Sequence, residues 1–291
     1  MDEVVVFDDG QAGEGSAVHK SHIGNAKDLY TGFSYPDYFL THVLSYLETP
    51  PHLRKRLFPM HPDLRFAGSL PSLDMPHHIR RDEWCQYREG VTRAGHPDGL
   101  KKKTSSHTYV ETGLRSRVSI PAIIPPDTRV TVKFKDVNKA AKLPENELSA
   151  DVVSPNTPRE EAGYYWGYSV RSAASLSAVL TECPFDGGYD LTIGTSERGV
   201  PVADIMSSKS LKYTVPEFSH MMIIFGGVAG LEVAVKADEE LAGLGVKIPE
   251  ALFDHWVNLC PGQGSRTIRT EEAVWLGLMG LRELVLKKGK R

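Results

Sequence analysis

The fold turns on one stretch, Asn258-Leu259-Cys260-Pro261-Gly262-Gln263-Gly264-Ser265-Arg266-Thr267-Ile268-Arg269-Thr270-Glu271-Glu272. The apolar run Phe253–Leu259 leads into it, a proline and two glycines bend it, and a long amphipathic pattern leaves it, so it reads as strand, turn and helix start. Thr270 is the expected N-cap, Glu271 and Glu272 complement the positive helix end, and Ala273, Val274, Leu278, Leu281 and Val285 form the expected inward stripe. Lys287-Lys288-Gly289 closes the helix.

Two further glycine-rich turns follow expected strands: Thr192-Ile193-Gly194-Thr195-Ser196-Glu197-Arg198-Gly199 after Tyr189–Gly194, and Phe225-Gly226-Gly227-Val228-Ala229-Gly230-Leu231-Glu232 after Met221–Phe225. Ligands of open α/β sheets bind beyond the carboxyl ends of the strands, where glycine lets main-chain groups approach closely. One such turn is ordinary turn chemistry, but three in succession point to a shared pocket. Neither G-x-x-x-x-G-K-[ST] nor G-x-G-x-x-G is present in them, which removes the usual triphosphate and dinucleotide readings. Gly194-x-Ser196-x-x-Gly199 misses the hydrolase elbow by one residue, with His220 as a conceivable base, and stays as a weak competitor.

Working back toward the N-terminus, Val4–Phe7 followed by Asp8-Asp9-Gly10 reads as a buried strand ending in a turn, and Gln11–Lys27 as a polar loop. Pro36 and Asp37 open a helix with the stripe Phe39, Leu40, Val43, Leu44 and Leu47, which Pro50-Pro51 stops. Beyond Pro76 the pattern becomes short and β-branched: Tyr87–Thr92, Thr108–Glu111, Arg115–Ile120, Arg129–Lys135 and Ser149–Val153, the signature of a small antiparallel barrel. A helix over Ser175–Leu180 and the strands above then alternate, as in a mostly parallel sheet covered by helices. The expected organisation is a first α/β part over residues 1–84, a barrel inserted over 85–154, and a second α/β part over 155–291.

The 291 residues are 41% hydrophobic and 24% charged, which excludes wholesale disorder. The longest apolar run, Met221–Ala229, is too short for a membrane span. No basic n-region precedes Val4, so no signal peptide is expected at this start. Cys85, Cys183 and Cys260 are scattered, which fits neither a disulfide scaffold nor a thiolate zinc site; a reducing, intracellular compartment, nuclear or cytoplasmic, is expected. His77-His78 with Cys85 lacks a fourth ligand, so no metal is assigned. The net charge of −3 hides a basic segment: Ile79–Lys142 carries 14 Lys/Arg against 7 Asp/Glu, leaving 20 against 30 elsewhere. Arg80, Arg81, Arg88 and the run Lys101-Lys102-Lys103 make it a candidate RNA contact, against the plainer reading of a solvated loop.

The segments Gly163–Arg171 (GYYWGYSVR), Tyr189–Gly199, Ile224–Glu232 and Cys260–Ala273, with Leu53–Phe66 and Pro76–Gly90, closely resemble the eukaryotic and archaeal RNA methyltransferases of the trefoil-knotted SPOUT superfamily that carry an inserted barrel. The resemblance covers most of the chain. It implies a trefoil-knotted, mostly parallel sheet with an OB-like insert, S-adenosylmethionine (SAM) as methyl donor, RNA, structured or ribosomal, as substrate, and a homodimer with the site near its interface. By superfamily analogy the target is a uridine N3 of ribosomal RNA; the competing reading is a noncatalytic RNA-binding scaffold. Relatives have a further strand and helix before Asp2–Asp8, so either this start is internal to the natural protein or the sheet lacks that strand; the unpaired edge left in these 291 residues predicts poor solubility.

Carried over, the resemblance implies cofactor contacts from Gly194, Thr195, Arg198, Phe225, Gly226, Gly227, Gly230, Asn258, Leu259, Cys260, Gly262, Gly264, Ser265, Thr267 and Ile268. Main-chain groups of Leu259, Cys260 and Ile268 would hold the adenine. Arg198 is otherwise a surface ion pair, and Cys260 a nucleophile or, more simply, a small apolar turn residue. Glu197, Arg266, Arg269 and Glu271 are the candidates for catalysis: a carboxylate as base, the arginines on phosphate or orienting the nucleobase. Tyr164, Tyr165, Trp166 and Tyr168 could stack on bases or form core.

Overall fold

The computed structural model describes residues 1–10, 29–94, 107–135, 148–206 and 215–290. It divides into two units, Met1–Val4 with Ser21–Arg171, and Val5–Lys20 with Ser172–Arg291. The boundaries fall within two paired strands, β1 (Glu3–Phe7) and β7 (Ser169–Ala173). The bonds at the two ends of this pair, Ser169 N–H to Asp2 C=O at 2.9 Å and Asp8 N–H to Ala173 C=O at 3.2 Å, advance together along both chains, so the pair is parallel.

The first unit opens with α1 (Pro36–Glu48) and α2 (Pro51–Leu57), each started by a proline whose missing N–H costs nothing in the first turn. Asp37 and Glu48 are the buried residues of α1; its expected apolar stripe is only half-covered, and Leu40 is exposed. Then come β2 (Tyr87–Arg93), β3 (Thr108–Glu111), β4 (Val118–Ile120), β5 (Arg129–Phe134) and β6 (Leu148–Val153). They close into a barrel in the order β2-β3-β4-β6-β5, antiparallel except for β4 against β6. Alternate residues point inward, so Val110, Val118, Ile120, Val130, Val132, Phe134, Leu148 and Ala150 form its core. A short helix α3 (Thr157–Ala162) follows and ends at Gly163, whose φ of 70° is the left-handed cap glycine tolerates best.

The second unit alternates helices and strands: α4 (Leu176–Thr181), β8 (Leu191–Pro201), α5 (Val202–Met206), β9 (Met221–Ile224), α6 (Leu231–Ala237), α7 (Glu239–Gly243), β10 (His255–Asn258) and α8 (Thr270–Lys288). Its sheet is parallel throughout, in the order β10-β8-β9. Side chains alternate across it: Met222 and Ile224 join a core with Leu176, Leu231 and Val235, while Leu191, Ile193 and Val257 pack with Leu281 and Leu284 of α8. Both faces are covered, as parallel sheets require. The inward face of α8 is Gly277, Leu281 and Leu284; Leu278 and Val285, expected inside, are exposed. The helix is apolar on two sides, so a stripe drawn from sequence can settle on the wrong one. Its cap is Arg269, not Thr270: the Arg269 N–H donates to the Glu272 carboxylate at 3.2 Å.

Candidate functional site

The three glycine-rich turns meet at one end of the second unit's sheet. On β10, Trp256 pairs with Gly194 and the next residue, Val257, with Val200, so Thr195–Gly199 of β8 leave the ladder as an unpaired excursion. Gly199 is required where the excursion returns, since a Cβ there would lie 2.4 Å from the main chain of Val257. Bonds lock the first turn to the other two. Thr195 Oγ1 donates to the Ile224 carbonyl at 2.8 Å, the Arg198 guanidinium pairs with Glu232, and Asn258 Nδ2 donates to the Glu197 carbonyl at 2.7 Å.

The second and third turns are joined through α8. Thr270 Oγ1 donates to the Gly226 carbonyl at 3.3 Å, and a Cβ on Gly277 would lie 2.8 Å from the Phe225 ring and 3.2 Å from the Leu259 side chain. The helix therefore rests on the ends of β9 and β10 together. Within the third turn, Asn258 Oδ1 accepts from Cys260 N–H at 2.9 Å, Cys260 C=O from Gln263 N–H at 3.1 Å, and Thr267 C=O from Ser265 Oγ at 2.7 Å. Gly262, with φ 75°, makes the bend, and a Cβ on Gly262 or Gly264 would meet nothing within 4 Å. The result is a rim of accessible main chain over Gly227, Gly262, Gly264, Ser265 and Thr267, with Leu259, Cys260 and Ile268 half-buried behind it.

The candidate catalytic residues Glu197, Arg266, Arg269 and Glu271 stand on this rim, exposed, with Arg269 and Glu271 3.9 Å apart. Ser196 and His220 do not meet. Ser196 Oγ accepts from Arg198 N–H at 3.2 Å within the β8 excursion, past the Gly194–Ile224 end of the β8–β9 pairing, while His220 precedes β9, its ring stacked on Phe185 at 4.2 Å. Sitting at opposite ends of parallel strands, they make no nucleophile–base pair, and the hydrolase reading is overturned.

The basic residues fall into three groups. Arg80 and Arg81 are exposed. Arg88 is buried: its guanidinium donates to the carbonyls of Thr112 and Glu83, both at 3.1 Å, and of Arg80, so it holds loops together rather than facing a ligand. Lys101, Lys102 and Lys103 lie outside the described residues.

The aromatic segment is largely core. Trp166 is buried and donates through Nε1 to Glu89 at 2.7 Å, Tyr168 is buried, Tyr165 donates to the Met1 carbonyl at 2.8 Å, and Tyr164 is exposed. Trp166 shares Glu89 with Arg129, which also forms a bidentate pair with Glu48 at 2.6 and 3.0 Å. Burial would raise the Glu48 carboxyl, but hydrogen bonds from His77 and Arg129 hold it down at about 2. His77 and His78 both donate through Nε2 to the Glu48 carbonyl, at 3.0 and 2.6 Å, and burial pushes the Cys85 thiol up, so this trio is occupied in structural bonds. Among the described residues, the group of His, Cys, Asp and Glu side chains close enough to share an ion is His42, His61 and Asp63, which no sequence spacing singled out. No helix among the described residues is long and apolar enough to cross a membrane.

Comparison with known proteins bears on this site. A family model described as "Putative RNA methyltransferase" matches residues 1–281. The chain is 42% identical over 296 residues to a human 28S rRNA (uridine-N(3))-methyltransferase, covering all of this chain and 71% of that one, and 43% identical over 297 residues to the mouse protein of the same name, 69% of which is covered. It is 41% identical over 284 residues to the Drosophila melanogaster 28S rRNA (uridine-N(3))-methyltransferase, covering 97% of this chain and 55% of that one. The chain thus spans about half the length of the fly relative.

Proposed function

Since the chain belongs to this RNA methyltransferase family, we propose that it transfers a methyl group from SAM to N3 of a uridine in ribosomal RNA. The observation that carries the reading is the joining of three glycine turns at one end of a parallel sheet by Thr195, Asn258 and Thr270. SAM fits this rim by its chemistry. Adenine suits main-chain donors and acceptors at Leu259, Cys260 and Ile268, and the zwitterionic methionine end suits the opposed charges of Arg198 and Glu232 beside Gly226, Gly227 and Gly230. Bound there, SAM supplies an electrophilic methyl group on its sulfonium.

The chain's own part is positioning and proton transfer. In-line approach of N3 to the methyl carbon needs the nucleobase fixed over the rim, a task for Arg266 and Arg269, and orientation alone can supply much of the rate. Methylation of N3 would require its proton to leave, and Glu197 and Glu271 are the carboxylates on the rim that would take it.

Three finer readings accompany this. The barrel's order, with its single parallel pair, is that of a five-stranded OB-like insert; Lys101–Lys103 within it, with Arg80 and Arg81 just ahead of it, would hold RNA phosphates. The trefoil knot is supported by one fact of topology: β10 lies beyond β8, yet the helix that follows it starts against the end of β9, so the chain must cross the β8 excursion. A homodimer is supported by the outer face of α8, where Trp275, Met279 and Leu286 are 72%, 66% and 53% exposed on one stripe.

Isothermal titration of the 291-residue chain with SAM tests the reading, followed by mass spectrometry of ribosomal RNA after incubation with both. Saturable heat and one methyl on a uridine are expected. A folded chain that gives no heat with SAM is instead a scaffold.

A further inference from the structure

We propose that His42, His61 and Asp63 bind one divalent transition-metal ion of the zinc class, a site separate from the glycine turns and independent of the methyltransferase reading. His42 projects from α1; His61 and Asp63 belong to the single 3-10 turn around Pro62–Leu64. Both imidazoles address the same carboxylate oxygen: Nδ1 of His42 lies 3.4 Å and Nδ1 of His61 3.3 Å from Asp63 Oδ2, and the three ligand atoms are all within 4.8 Å of one another.

The spacing of the three ligand atoms suits a shared metal ion. Charge-assisted hydrogen bonds from imidazolium to carboxylate close to about 2.7–2.9 Å. Two ligands held about 2.0–2.1 Å from one tetrahedral ion stand about 3.3 Å apart, the separation seen twice here. The polarity of His61 agrees. Its Nδ1 accepts from the Asp63 main-chain N–H at 3.2 Å, so this nitrogen carries no proton, and a bound ion would take over the lone pair that the N–H now holds.

The carboxylate is held as metal-ligating carboxylates are. Asp63 is buried, and Thr31 donates its N–H to Oδ1 and its hydroxyl to Oδ2, each at 2.8 Å, which fixes the group's orientation from behind. Phe58 stacks on His42 at 5.9 Å, His61 meets it edge-to-face at 4.9 Å, and Tyr38 lies against both, so apolar rings limit the exchange of ligand for water. Two imidazoles and one carboxylate are a borderline nitrogen and oxygen set that suits zinc better than magnesium or calcium. Water would complete the tetrahedron. The ion would fasten α1 to the turn that follows α2.

The test uses the 291-residue chain, stripped with chelator, dialysed, and titrated with cobalt(II) and then zinc. One equivalent of cobalt should give the visible ligand-field absorption of a tetrahedral site, zinc should bleach it, and zinc should raise the thermal midpoint. His42→Gln and His61→Gln should each weaken cobalt binding about tenfold or more, while His107→Gln, at an exposed barrel position, should leave it unchanged. A wild-type chain with no tetrahedral absorption overturns the site whether or not the variants fold, as does absorption undiminished in both folded glutamine variants.

Discussion

Glu48 and Arg88 show how far single residues can be read in advance. Both are charged residues on amphipathic segments and look solvent-facing in the sequence; both are buried, each with partners far along the chain. Nothing local announces such burial, because the compensating groups, Arg129 for one and three carbonyls for the other, arrive only with the fold. The Glu48 carboxyl, near 4.5 when unfolded and about 2 when folded, contributes stability that is present above pH 4.5 and lost as pH falls through that window toward 2. Glu48→Gln should therefore cost about 3 kcal/mol at neutral pH. Urea titrations of the first unit at several pH values should show the variant's stability falling less than wild type's between pH 5 and pH 2.

Among the elements, the barrel strands were legible to within a few residues, since β-branched residues alternate with polar ones between clear turn signals, and Thr108–Glu111 is seen with the ends expected for it. The departure of β8 after Gly194 was legible too, but its return to the ladder at Val200 was not, because the polar Thr195–Gly199 stretch reads as the end of a strand, not as a detour within one. The glycines of the three turns could be picked out, whereas the bonds that gather them depend on Thr195, Asn258 and Thr270, ordinary polar residues by sequence.

Gly277 tests that gathering. Alanine is the better helix former by about 1 kcal/mol, so Gly277→Ala should leave α8 intact. Its methyl would nevertheless crowd Phe225 and Leu259, and overpacking of about 1–3 kcal/mol should weaken SAM about tenfold by calorimetry. Just ahead of the barrel, Arg80→Glu with Arg81→Glu should weaken RNA binding and reduce the slope of log affinity against log salt by about one to two. Filter binding across a salt series gives that slope, and an unchanged slope would remove these residues from the interface.

At the scale of the whole molecule, the apolar outer stripe of α8 should dictate assembly. Trp275→Glu with Met279→Glu places two charges in the proposed contact while leaving Leu281 and Leu284 seated, so sedimentation should show monomer in place of dimer and the far-ultraviolet spectrum should not change.

The pairing of β1 with β7 has a consequence for biosynthesis. Roughly 160 residues separate Glu3–Phe7 from Ser169–Ala173, and at about 5–20 residues per second the earlier segment waits some ten to thirty seconds on the translating ribosome before its complement appears. Through that interval Val4, Val5, Val6 and Phe7 stay unzipped and sticky on the nascent polypeptide, while the whole barrel can be completed behind them. Cellular holdases would find a grip on this segment until its complement arrives.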